Sequence, residues 1–523
     1  MKILLINVVC GIRSTGRICA DLADALTARG HEVKIAYGRE TVPEQYQKYA
    51  VRIGGEWGVR AHALKARLLD ASGWGSRAAT KAFIEWVKRF DPDVINLHNL
   101  QGYYIHLEVL FDYLRTCGKK IVWTLHDFWA VTGHTTFCDV KNCDKWRTGC
   151  DDCPCLSLYP QSLTDHSRAN WQRKKALFNG VPQMTLVTPS RWLAGVIGAS
   201  YLSSYPVTVI PNGIDTARFY PLANDFRAFY GLEGRFVILG AAKDGASLRT
   251  YGKLAELLGE EYRLVLTGVP SAQRPGLPAC VLALESADSP KEMEQVVAAA
   301  DLVVTLNPDE GKDTPWPGCD QITVNGESLD TAVETIWAYR ERHQADAEAG
   351  QASLTDPGYW QYKHSLGLIG KRVLLGVAAI WHEGKGLKDI VALSQKTNAQ
   401  VVVVGVTEAQ KQELPGQVLS FVHTESVEEL RRLYAVADLF INPTYEDNFP
   451  TTNIEALACG TPVVTYQTGG SPESATWVVE KGDWAGLDQA QSLSQAACLK
   501  KSGQYTKETM IRGYLPVLLN GDK

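Results

Sequence analysis

No apolar run in this sequence approaches the roughly 18 residues that a bilayer-spanning helix needs. The opening stretch, Met1 to Val9, is apolar but too short for a secretory core with its cleavage site, and it runs directly into patterned sequence. A cytoplasmic protein is the expectation. Positive charge is not in excess either: a formal net charge of −5 and a pI near 6.2 give no general attraction to nucleic acid. Contact with an anionic membrane must therefore come from a local patch. With 45% apolar and 21% charged residues, the composition of a disordered chain is missing as well. Of 12 cysteines, most outside one local cluster are scattered singly, which suits reduced thiols. What is present is length: 523 residues exceed one comfortable core, so two or three α/β domains are expected.

The N-terminal half alternates buried strands and helices. Lys2 to Val9 reads as a strand, Cys10 to Arg17 as a glycine-containing turn, Ile18 to Arg29 as a helix stopped by Gly30, and His31 to Tyr37 as the next strand. Such a turn lets backbone approach a ligand at the helix start, or is merely tight; Gly16 is the candidate contact. Residues 53–90 read as helical, with Arg60, Lys65, Arg67, Arg77, Lys81, Lys88 and Arg89 interleaved with Trp57, Leu64, Leu68, Leu69 and Trp74. That is either a solvated face or a surface that lies on anionic lipid. The strands 93–98 and 120–127 carry His98 and His126 at their ends. Ligands of an open parallel sheet sit beyond the carboxyl ends of its strands, so both histidines stand where a site would be.

A cysteine cluster follows. Cys150 and Cys153 have zinc-knuckle spacing, and Cys138 with Cys143 can supply a second pair, with His134 just before them. Four thiolates would close a structural zinc site; the short gap between the pairs equally suits an unmetallated loop. No pattern of histidines and carboxylates for a catalytic zinc accompanies them.

The densest chemistry lies at residues 444–473. An apolar strand, Ala437 to Pro443, leads through a polar loop into a helix opening at Thr451 or Thr452 and ending at Gly460. Unpaired amides at a helix start bind phosphate. Thr452 with Glu455 is also a capping box, which needs no ligand. The whole string, Asp447-x7-Glu455 followed by Ala-Leu-Ala-Cys-Gly-Thr-Pro-Val-Val, resembles the donor-binding signature of family 4 glycosyltransferases of the GT-B fold, with Asp447 where two glutamates are usual. Thr124-Leu-His126-Asp127 is similar to the family stretch whose histidine faces the transferred sugar, residues 207–215 resemble the interdomain passage, and Lys385-Gly386 resembles the phosphate contact. The family's arginine shortly before that lysine has no counterpart, since Ala378 and Ala379 stand there.

The resemblance implies two Rossmann-like, doubly wound parallel-sheet domains facing a cleft. It implies His126, Lys385 and Glu455 as catalytic groups; Gly16, Asp447, Thr451, Thr452, Glu455, Gly469 and Gly470 as donor contacts; and His98 and Arg17 on the acceptor side. It implies no cofactor for catalysis. The partners implied are a UDP- or GDP-linked sugar and a glycan or lipid-linked acceptor, with retention of configuration and peripheral contact at the inner membrane face. A non-catalytic nucleotide-sugar-binding scaffold, or an epimerase or hydrolase of the same fold, remain as other readings.

One feature exceeds that pattern. Gly240, Gly268 and Asp301 are echoed by Gly376, Gly405 and Asp438 at an offset of roughly 136–137 residues, each within similar flanking sequence. Residues 216–352 are therefore expected to be an incomplete copy of the donor-binding half-domain, inserted between an N-terminal domain, 1–215, and a complete copy, 353–523. Residues 321–352 read as a polar helical spacer. The first copy runs through Asp309, Glu310 and Lys312 into Trp316 without a matching helix, so donor binding is expected from the second copy only.

Overall fold

The computed structural model describes residues 1–138, 141–242, 244–285, 289–306, 319–324, 328–343, 356–484, 486–487, 490 and 493–519. It contains three all-parallel sheets. The first holds β1 (Lys2–Asn7), β2 (Glu32–Tyr37), β3 (Ala50–Arg52), β4 (Val94–Leu97), β5 (Lys120–Thr124), β6 (Met184–Thr188) and β7 (Val207–Val209), in the order β3-β2-β1-β4-β5-β6-β7. The α/β, Rossmann-like expectation holds: the central strands β1, β4, β5 and β6 are short, apolar and buried on both faces, as a sheet covered by crossover helices requires, while the edge strands β3 and β7 are only partly buried. The order reverses between β1 and β4, so the cleft above their carboxyl ends is the natural ligand position.

The helix after β1 spans Arg13–Thr27, five residues earlier than the sequence pattern suggested. Gly16 is thus buried inside its first turn, and Gly11, at φ +74°, makes the tight turn instead. Residues 53–90 form two helices, Glu56–Leu69 and Arg77–Phe90, separated at the left-handed residues Asp70 and Ser76.

The second sheet holds β8 (Phe236–Ala241), β9 (Tyr262–Thr267), β10 (Val281–Ala283), β11 (Leu302–Thr305) and β12 (Gln321–Thr323), ordered β10-β9-β8-β11-β12. The third holds β13 (Val373–Val377), β14 (Gln400–Val404), β15 (Leu419–Phe421), β16 (Leu439–Asn442), β17 (Val463–Tyr466) and β18 (Trp477–Val479), ordered β15-β14-β13-β16-β17-β18. The spacer reading is corrected: 321–323 is the fifth strand of the second sheet, and the helix Leu329–His343 packs Ala332, Val333 and Ile336 into its core. The stretches 308–318 and 344–352, on which part of the repeat reading fell, lie outside the described residues.

Linker residues Ile214, Phe219 and Leu222 share one core with Tyr434, Phe449 and Leu457 of the third unit and with Leu239 and Val303 of the second. The linker therefore meets the third unit directly, despite the intervening sheet. After that unit the chain crosses back. Ile214 bridges Thr506, and the helix Lys507–Leu519 seats Met510, Tyr514 and Leu518 in the core of the first domain. No helix among the described residues is long and apolar enough to cross a membrane.

Candidate functional site

Two loops of the third unit build one wall. The loop after β13 carries a single 3-10 turn, Glu383–Lys385, then Gly386 at φ +73°, and the helix Leu387–Ser394 begins there without a side-chain cap. Gly386 allows close approach: a Cβ on it would stand 2.2 Å from the Pro443 carbonyl oxygen of the loop after β16. Tyr445 N–H donates to the Gly384 carbonyl at 2.8 Å, joining the two loops. The consequence is that Lys385 Nζ reaches Asp447 Oδ2 at 2.7 Å and the Glu446 carbonyl at 3.4 Å. Both side chains keep partial exposure, 28% and 19%, so the cation is held in place and still open to a ligand.

Gly469 and Gly470 support this wall from behind. Gly470 N–H donates to the Asp447 carbonyl at 2.9 Å; Cβ atoms would stand 2.1 Å from the Asp447 oxygen and 1.9 Å from the Asn448 oxygen. Their role here is close packing of the 447–448 backbone.

The facing wall belongs to the first domain. Asn448 donates its side-chain amide to the His126 carbonyl, so the two domains touch at the centre of the site. Asn96 Nδ2 donates to the Val122 carbonyl at 3.1 Å, which turns its Oδ1 toward His98 Nε2 at 2.9 Å. His98 Nε2 then carries the proton, its Nδ1 accepts from His126 Nε2 at 3.1 Å, and the network assigns His126 a free lone pair at Nδ1. Burial pushes His126 down to about 4, and burial with the His126 neighbour pushes His98 well below the usual range. Both rings are therefore neutral near pH 7. Burial also raises Asp127 to about 6, against the Trp129 amide it accepts and the nearby Lys174.

The helix Thr451–Ala458 follows the same loop. Its N-cap, Pro450, offers no side chain, and no capping box forms between Thr452 and Glu455. Glu455 instead accepts from Tyr434 O–H at 3.1 Å, and burial raises its carboxyl, opposed by Arg17 and that hydroxyl. With Ser14, Arg17, Asp21, Arg218, Thr451 and Lys507, Glu455 lines a cavity of about 170 Å³ between the two domains. Gly16 lies one residue from that lining, with its Cα face against Val9.

The expected residues thus form two groups along one segment: Lys385 and Asp447, backed by Gly469 and Gly470, with Asn448 reaching the carbonyl of His126; and Thr451 and Glu455, which line one cavity with Arg17. Residues the sequence did not single out also join the domains. Asn448 is one; Glu473 is another, its carboxylate accepting the amides of Arg191 at 3.1 Å and Trp192 at 2.9 Å, where it meets the positive end of the helix Arg191–Gly198. Asn448 lies inside the acid-x7-acid string, the one local signal available for it. Cys138, Cys143, Cys150 and Cys153 line a separate small cavity with His134. Among the described residues no group of three or more His, Cys, Asp or Glu stands where it could hold a metal ion.

Comparison with known proteins adds the following. The family model described as Glycosyltransferase Family 4 matches residues 15–218, and that described as Glycosyl transferases group 1 matches residues 371–495, leaving the second sheet between them unmatched. The chain is 27% identical over 276 residues to WcaC of Escherichia coli (strain K12), provisionally described as a colanic acid biosynthesis glycosyl transferase, an alignment covering 50% of this chain and 65% of that protein. It is 29% identical over 151 residues to the N,N'-diacetylbacillosaminyl-diphospho-undecaprenol alpha-1,3-N-acetylgalactosaminyltransferase of Campylobacter jejuni, covering 27% and 38%. With the D-inositol 3-phosphate glycosyltransferase of Mycobacterium sp. (strain KMS) it shares 39% identity over 75 residues, covering 13% and 17%. The alignments therefore span less than two thirds of each of these relatives. Among solved structures, a glycosyltransferase from Rickettsia africae ESF-5 aligns at TM-score 0.49 and 12% identity over 99% of both chains. Anabaena Alr3699/HepE in complex with UDP aligns at 0.42 and 13% over 98% of both.

Proposed function

We propose that the chain, like the family 4 glycosyltransferases whose model its first domain matches, transfers a sugar from a UDP- or GDP-linked donor to a glycan or lipid-linked acceptor with retention of configuration. The observation that carries the reading is Lys385, held at the mouth of an uncapped helix by Asp447, whose neighbour Asn448 donates to the His126 carbonyl across the domain boundary. Departure of a nucleoside diphosphate develops negative charge on its oxygens, and a fixed cation with open helix amides stabilises that charge where it appears. Lys385 and the starts of the helices at Leu387 and Thr451 fill those roles. Neutral His126 offers Nδ1 to a hydroxyl of the transferred sugar. No side-chain nucleophile is invoked; the departing phosphate takes the acceptor proton in a front-side displacement.

The cavity beside Glu455 is smaller than the roughly 300–1,000 Å³ of a whole small-molecule site, so it suits one part of the donor. A carboxylate there accepts ribose hydroxyls. We assign the second sheet to a copy of the donor-binding half-domain that kept the strand order without the donor contacts. The helix Glu56–Leu69 exposes Trp57 (81%), Leu64 (59%), Leu68 (45%) and Leu69 (53%) beside Arg60 and Arg67, which suits peripheral docking on anionic lipid at the cytoplasmic face, where a lipid-linked acceptor is met.

The test is a thermal-shift panel of UDP- and GDP-sugars, followed by transfer with the stabilising donor to extracted acceptor on anionic vesicles. One donor raising the melting temperature, with transfer to acceptor and a product of unchanged anomeric configuration, is expected. A donor that binds without transfer favours the scaffold reading. Free sugar or an epimerised nucleotide as the sole product, or an inverted linkage, overturns the proposal.

A further inference from the structure

The helix Arg191–Gly198 belongs to the first domain, yet its start is completed by the third unit. Ser190, the N-cap, accepts the Leu193 amide on its side chain at 3.1 Å and the Ala194 amide on its carbonyl at 3.1 Å. The two amides that remain, those of Arg191 and Trp192, donate to the two carboxylate oxygens of Glu473 at 3.1 and 2.9 Å. All four amides that a helix start leaves open are thus satisfied, two of them only across the domain boundary. A carboxylate fits this place, since it has an oxygen for each amide and its charge meets the positive end of the helix.

Glu473 is itself firmly set. It lies in the 3-10 turn Ser471–Ser474, directly after Gly469 and Gly470, which pack behind Asp447 and Asn448. Asn453 donates its side-chain amide to Ser474 Oγ at 3.1 Å, and Tyr505 O–H donates to the Glu473 carbonyl at 2.9 Å. A Cβ at Gly470 would stand 2.8 Å from Ser190 Oγ, so turn and helix start also touch there. On its other side the same helix braces the loop that carries His126. The Trp192 ring stacks on Phe128 at 5.1 Å and 27°, and beyond the end of the helix Tyr201 O–H donates to the Ala130 carbonyl at 2.5 Å. Phe128 is buried two residues past His126, so its ring and the loop move together.

We propose that Glu473 is a positioning residue for sugar transfer: by completing the helix start at Arg191 and Trp192 it seats Trp192 on Phe128 and so fixes the His126 loop against the donor wall at Asp447 and Asn448. It touches neither donor nor acceptor. The inference rests on the transfer reading for its effect on rate, while the coupling of Glu473 to the 126–132 loop is a property of the fold and is measurable without any reaction.

Three variants of the full chain test it. Glu473→Ala opens both amides, and Glu473→Gln keeps one acceptor oxygen. Arg191→Pro deletes one amide and leaves the helix intact, because proline fits the first helical position and Ser190 before it is already extended at φ −145° and ψ 154°. Turnover at saturating donor is expected to fall about 10–100-fold in Glu473→Ala and about 3–10-fold in the other two, with donor affinity unchanged. Arg191→Ala keeps the amide and should keep the parent rate, since that side chain is 84% exposed and 3.9 Å from Glu473. Hydrogen exchange gives the readout that needs no turnover. The amides of Phe128, Val131 and Thr132 are bonded within the His126 loop, and their exchange should quicken in Glu473→Ala and in Arg191→Pro. Unchanged exchange there in both variants overturns the proposal, and so does a loss confined to donor affinity. If the parent chain transfers no sugar, the transfer reading falls and exchange alone decides the coupling: quicker exchange upholds it, unchanged exchange ends it.

Discussion

The second and third sheets share one strand order and diverge at their ligand-facing ends. In the second, Arg227 pairs with Asp301 at 2.7 Å and Asp301 accepts the Val237 amide at 2.7 Å; in the third, Lys363 reaches Asp438 at 4.0 Å and Asp438 accepts the Val373 amide at 2.8 Å. The helices Pro290–Ala298 and Val427–Val436 begin on Ser289 and Ser426, each accepting an amide three residues on. Where the first strand of each unit meets its helix, the likeness ends. Asp244 caps the helix Gly245–Leu258 with its own carboxylate, while the helix at Leu387 starts on Gly386 with no side chain on its amides and Lys385 beside it. One scaffold thus carries one closed helix start and one open to a ligand.

The largest expected effect breaks the open end. Lys385→Ala removes the cation from the departing diphosphate, and transfer should fall at least about 100-fold, roughly 3 kcal/mol of transition-state stabilisation, with Glu455→Ala comparable. Initial rates at saturating donor check this. Near-normal turnover in both would place the chemistry elsewhere. Asp244→Ala in the second unit should leave the rate unchanged, and a rate loss there would mean that the second unit also holds donor.

Next in size is the junction between the units, where the comparison turns from chemistry to stability. Asp438 accepts from Ser289 O–H at 2.6 Å and Lys291 N–H at 3.2 Å, and Lys363 also pairs with buried Glu292 at 2.8 Å. Burial pushes Lys291 down to about 8, with Asp438 opposing that fall. Asp438→Ala leaves the Ser289 hydroxyl and the Lys291 and Val373 amides without their buried acceptor, removes the negative charge nearest Lys363 after Glu292, and should cost about 3–5 kcal/mol. Asp301→Ala, whose Arg227 partner is 30% exposed and can turn to solvent, should cost about 1–2 kcal/mol. Denaturant unfolding of both variants measures the difference. Equal losses would show that the junction adds nothing to what each unit does alone.

These pairs also mark how far the chain could be read without its fold. The strands, the helix at Thr451 and the Lys385 loop were legible, because apolar runs, caps and glycines act within a few residues. Asn448 against His126, Glu473 against Arg191 and Trp192, and His134 against Asp70 were not, since each joins segments far apart in sequence and leaves no period behind. The direct packing of the linker on the third unit was hidden for the same reason: its partners follow more than a hundred residues of intervening sheet. Gly16 shows the opposite failure. Its neighbours looked like a loop, and tertiary packing of Ile18, Leu22 and Leu26 extended the helix back to Arg13.

The smallest effect sharpens the comparison at the closed end. Asp244 accepts the amides of Ala246 at 3.0 Å and Ser247 at 2.7 Å, and these bonds hold its carboxyl below the usual range. A carboxyl with a depressed folded value stabilises above its unfolded value near 3.9, and that contribution is lost as pH falls through the folded one. Asp244→Ala should therefore lower the melting temperature at pH 7 by about 2–4 °C, with the gap closing as the pH drops below 4. Asp244→Asn keeps a capping oxygen without the charge and should recover most of the loss. If added phosphate stabilises Asp244→Ala more than it stabilises the parent chain, the carboxylate is standing in for an anion at this helix start; equal stabilisation would reduce Asp244 to an ordinary cap, and the contrast with Lys385 and Gly386 would then rest on those two residues alone.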